Sequence, residues 1–86
     1  MLITKRMVAD RIAAYLQGRL TVNALVDWAE KALLDAEFAG ADTRVLSPVV
    51  ARLGVADVRA FGLAWEDCEL LLRQLGYTAR VEIVPA

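Results

Sequence analysis

The chain reads as a mainly α protein, a compact bundle of about four helices with a short C-terminal β-strand. Three observations predict this. Apolar residues recur every three or four positions through most of the 86 residues, the period of helices with one buried stripe. Helix-capping residues such as Thr4 and Thr21, and single glycines such as Gly18, Gly54 and Gly76, punctuate those stretches. After Gly76 the period drops to two, the alternation of a half-buried strand.

These signals divide a single domain, 1–86, into a helical hairpin over 4–38, a helix over 43–53, a helix over 64–75 and a strand over 77–84. Thr4 caps the first helix, in which Met7, Val8, Ile12, Tyr15 and Leu16 keep helical spacing up to Gly18. Thr21 caps the second, whose stripe is Val22, Leu25, Val26, Ala29, Ala32, Leu33 and Ala36. Trp28 falls off that stripe as a boundary residue or a partner anchor, and Leu34 points nearly the opposite way. Asp42 is positioned to cap the third helix. There Val45, Leu46, Val49, Val50 and Leu53 share one face across Pro48, which either kinks that helix or starts it. Val55–Val58 reads as one short helical turn and Phe61–Leu63 as a connection.

The helix over 64–75 is the expected keystone. Trp65, Cys68, Leu71, Leu72 and Leu75 project to one side, and Glu66, Asp67 and Glu69 crowd the positive end of its dipole. Arg73 lies in the last turn and Gly76 supplies a left-handed cap. The predicted core is Ile12, Leu16, Leu25, Ala29, Leu33, Val50, Leu53, Trp65, Leu71, Leu72 and Leu75. On that reading Trp65→Ala costs about 3–5 kcal/mol. The strand over 77–84 needs a partner for its backbone, either Met1–Ile3 or the same strand of a second chain in a two-fold dimer.

Composition narrows the chemistry. With no histidine and one cysteine, Cys68, one chain holds neither a disulfide nor a usual zinc site. No histidine stands by as base for Ser47 or Cys68. Asp27 or Glu30 could face Asp67 or Glu69 in acid–base work, yet no spacing selects such a pair, and the glycines stand singly rather than in a phosphate loop. The chain is therefore read as no enzyme and as needing no cofactor. A buried single cysteine suits a reducing compartment. No run of about 18 apolar residues is present, and Lys5-Arg6 follow too soon for a signal peptide. The expectation is a cytoplasmic protein with no membrane contact.

Two binding surfaces emerge. Val50–Val58 resembles the middle of a helix-turn-helix, with Arg44, Arg52 and Arg59 as candidate phosphate contacts. A net charge of −1 and Asp57 in the would-be recognition helix argue against nucleic acid. The other surface is acidic: Asp35, Glu37, Glu66, Asp67 and Glu69 with Trp28 would form one face if the fourth helix packs beside the second. Such a face suits a basic protein partner. Hydrophobic residues make up 58% of the chain, above the roughly 45–50% of ordinary domains, which also points to a partner or self-association.

The hairpin Tyr15–Glu30, with its Tyr15-Leu16-Gln17-Gly18 turn, and the segment Ala56–Asp67 resemble small bacterial helical proteins of uncharacterised function. In length, acidity and that hairpin the chain is also distantly similar to the helical immunity proteins of tRNA-cleaving colicins. That resemblance implies an acidic face mimicking a nucleic-acid backbone to block a basic nuclease; it assigns no residue a role. The combined expectation is a non-enzymatic protein-interaction module, an immunity-like inhibitor or a small accessory subunit. The alternatives are a DNA-binding regulator and a structural homodimer.

Overall fold

A computed structural model describes residues 2–59 and 61–86. Among the described residues the chain runs β1 (Leu2–Ile3), α1 (Lys5–Leu16), α2 (Val22–Asp35), β2 (Glu37–Phe38), a 3-10 turn (Gly40–Asp42), α3 (Thr43–Leu53) and α4 (Trp65–Gln74). The mainly α, four-helix architecture is the one its periodicity predicts.

Local chemistry sets most helix ends. Thr4 Oγ1 accepts from the Met7 amide at 3.2 Å and Thr21 Oγ1 from the Ala24 amide at 3.1 Å, each satisfying an amide the helix cannot. α1 and α4 stop in the same way. Gly18 (φ +75°) and Gly76 (φ +90°) turn left-handed, letting the Arg19 amide reach Ala14 O at 2.9 Å and the Tyr77 amide reach Leu72 O at 2.8 Å. Asp42 sits at the start of α3, but its side chain makes no capping bond there and instead faces Lys5 Nζ at 3.5 Å. Pro48 lies inside α3. Its missing N–H deprives the Arg44 carbonyl, and both residues are exposed, so water can serve that carbonyl.

The strand is where the structure departs most from the pattern. Residues 77–84 form no strand, and the strand of this end of the molecule is at the N-terminus instead. Leu2 and Ile3 pair in parallel with Glu37 and Phe38, and the Ala39 amide continues the ladder to Ile3 O at 2.9 Å. β2 thus occupies the intrachain partner expected for the C-terminal segment. Without a ladder, alternation alone does not make a strand. The pairing also shortens the hairpin expected over 4–38, since α2 ends at Asp35.

The core is centred on α3, not on α4. Leu46, Val49, Val50 and Leu53 are at most 1% exposed, and α3 meets α2, α1, α4 and β2. Ile3, Val8, Ile12, Leu25, Ala29 and Cys68 complete the centre, with Leu71, Leu72 and Leu75 from α4. Three predicted core residues are displaced. Leu33 is 42% exposed, Leu16 is half-buried, and Trp65 is half-buried against a surface cleft rather than against the core cluster. A ten-residue helix on the rim cannot bury every residue of its apolar side, and the indole at its first turn is left at the edge.

Candidate functional site

The two rival binding surfaces meet at an ion pair. Arg52, near the end of α3, donates from Nη2 to the Gly62 carbonyl at 3.0 Å and lies 3.6 Å from Asp67 Oδ2. Its guanidinium also sits 5.9 Å from the Phe61 ring centroid. The same Asp67 oxygen accepts the Ala64 amide at 2.8 Å, closing the start of α4. A basic residue assigned to one surface and an acidic residue assigned to the other therefore neutralise each other. They clamp the 54–64 connection between α3 and α4. Partly exposed pairs of this kind contribute at most about 1 kcal/mol, so the clamp orders the connection more than it stabilises the fold.

The remaining predicted contacts scatter. Arg44 and Arg59 are exposed, and the chain after Gly54 continues in turns up to Arg59 rather than in a second helix. The arginines thus have no recognition helix among the described residues on which to converge. On the acidic side, α2 packs chiefly against α3 and then α1, whereas α4 packs against α1 and α3. The α2–α4 pairing that would unite Asp35 and Glu37 with Glu66, Asp67 and Glu69 is not the principal packing of either helix. Asp35, Glu37 and Glu66 are exposed and Glu69 is half-buried. Trp28 is half-buried on the core cluster, with the Arg11 guanidinium 5.3 Å from its ring centroid and its indole N–H buried without a partner. It takes the boundary position. Leu34, 82% exposed, points away as its phase predicts.

The surface feature that periodicity did not anticipate is a cleft of about 540 Å³ between α1 and the C-terminal segment. Ala9, Ala13, Leu16, Trp65 and Leu72 supply its apolar wall, and residues 77–82 run along its other side. Beyond Tyr77 the segment has no helix, turn or bend, and its backbone makes no main-chain hydrogen bond to any described residue. Ala79 packs on the core cluster, but exposure then climbs to 72% at Val81 and 96% at Ile83. The alternation marks this stretch in the sequence; the fold shows that no other described residue pairs with its backbone beyond Tyr77.

Cys68 is fully buried, and that burial, reinforced by Asp67 and opposed by Arg52, lifts its thiol from 9.0 to about 11. Burial thus holds the thiol in its neutral form. Because the folded value lies above the unfolded one, the contribution to stability is complete below about pH 9 and is lost as pH rises through about 11. The loss is about 2–3 kcal/mol across that window. Denaturant titrations in this range should show Cys68→Ala with a flatter decline than the parent chain; parallel declines would show that the thiol is not the group responsible.

No group of three or more potential metal ligands occurs among the described residues, and none of their helices is long and apolar enough to cross a membrane. No family model, curated protein or solved structure matches this chain. The functional reading accordingly rests on its own geometry.

Proposed function

We propose that this chain is a non-enzymatic protein-interaction module, a small accessory subunit or immunity-like inhibitor, that engages protein through its C-terminal segment. One observation carries the reading. Residues 78–84 combine a strand alternation with a backbone that makes no main-chain hydrogen bond to any other described residue, and Val81, Ile83 and Val84 are exposed. Exposed apolar side chains beside free N–H and C=O groups are what a partner strand covers. Supporting it, Arg52 and Asp67 are spent on an internal clamp and Cys68 on the core, so the titratable side chains near the centre have structural work.

The test compares the full chain with a variant ending at Tyr77 in affinity capture and light scattering. The expected result is a stoichiometric protein partner or self-association that the shortened chain loses, with its helical circular dichroism retained. Equal behaviour of the two chains would overturn the reading.

A further inference from the structure

The free segment carries charges that specify how it pairs. Tyr77, Ala79, Val81 and Ile83 alternate with Thr78, Arg80, Glu82 and Val84. We propose that two copies of this chain associate through antiparallel pairing of this segment, with the two-fold axis at Val81; this deepens the interaction reading above by naming the partner as a second copy.

The register follows from three constraints. Residues directly opposite in a sheet point to the same face, so odd-numbered residues must oppose odd ones to keep the apolar set together. Among registers that obey this, centring on Val81 sets Arg80 against Glu82 of the second copy, and Glu82 against its Arg80. Centring on Arg80 or on Glu82 instead sets like charges directly opposite. Centring on Ala79 or Ile83 leaves both charges without a counter-ion in the ladder. The third constraint is Pro85, which has no N–H. If Val81 faces its own symmetry mate as a non-hydrogen-bonded pair, the ladder bonds fall to Thr78, Arg80, Glu82 and Val84, and Pro85 lands where no donor is required. The first two constraints leave the Val81-centred register, and Pro85 fixes its bonding phase.

The same register gathers Ala79, Val81 and Ile83 on one face and leaves Val84 on the other. Ala79 already rests on the core cluster, and in the paired strand Val81 and Ile83 share its face. Val81 and Ile83, 72% and 96% exposed, would then meet Val81 and Ala79 of the second copy. The alternative docking edge, the β1–β2 pair, is two residues long in each strand and offers too short a ladder to compete.

The experiment measures oligomeric state by sedimentation equilibrium on the full chain and three charge variants, with a fourth variant, Val81→Cys, for cross-linking. The parent is expected to be a dimer. Arg80→Glu turns both cross-strand ion pairs into like-charge pairs at once and should weaken the dimer about tenfold or more, as should Glu82→Arg. The double exchange Arg80→Glu plus Glu82→Arg restores the pairs and should restore the affinity. Val81→Cys should form a disulfide-linked dimer under mild oxidation, because non-hydrogen-bonded antiparallel neighbours lie about 4.5 Å apart at Cα, within disulfide reach. A parent that stays monomeric overturns pairing with a second copy, while the capture experiment still decides whether another protein is the partner. A dimer indifferent to Arg80→Glu, with no cross-link at position 81, overturns the strand register and moves self-association to another surface.

Discussion

Leu46→Ala is expected to lower the unfolding free energy by about 3–5 kcal/mol, among the largest losses at any single position of the helices. Leu46 is 0% exposed on α3, the helix that meets α1, α2, α4 and β2. Truncating it removes apolar contact and leaves a cavity inside the core cluster, which the close-packed surroundings fill only in part. A chain of this length has a total stability of about 4–13 kcal/mol, so the variant lies near the edge of folding. The matched measurement is Trp65→Ala. Its indole lines the cleft beside α1 and stands off the core cluster, so its loss should be about 1 kcal/mol, ordinary for a point substitution. Denaturant unfolding of both variants checks the ranking. If Trp65→Ala proves the costlier, α4 is the keystone and α3 is not.

Ile3→Ala should cost about 2–4 kcal/mol, although Ile3 lies in a two-residue strand almost at the start of the chain. The side chain is 0% exposed, and its carbonyl accepts the Ala39 amide at 2.9 Å. Loss of the side chain loosens β1 from β2, and with it the entry to α3 through Gly40–Asp42. The readout specific to this mechanism is hydrogen exchange at Ala39, which should quicken beyond the change at α4 amides. Leu2→Ala is the control: Leu2 is 53% exposed and its truncation should stay within about 0.5 kcal/mol. Equal losses at the two positions would show that β1 contributes through its backbone alone.

Helix positions and ends were legible because their causes are local. The Thr4 and Thr21 caps and the left-handed Gly18 and Gly76 involve residues within one or two turns of one another. The stripe of Leu46, Val49, Val50 and Leu53 was readable across Pro48 for the same reason. The candidate sites were less legible. Arg52 and Asp67 were assigned to opposite surfaces because nothing in a linear pattern says that residues 15 positions apart will form one ion pair. The acidic face requires α4 beside α2, and helix order in space is not written in helix period.

The sequence by itself determined four helices, the Thr4 and Thr21 caps, most of the buried face of each helix, and an alternating segment after Gly76, since each depends on neighbours along the chain and on the pitch of one element. Tertiary structure alone decided that α3 is central, that Trp65 lies at the rim, that Arg52 holds Asp67, and that Ile3 pairs with Phe38. These are choices among partners remote in sequence, settled by which surfaces leave the least apolar area and the fewest backbone groups uncovered. That competition gave β1 to β2 and left residues 78–86 with no main-chain hydrogen bond to any other described residue.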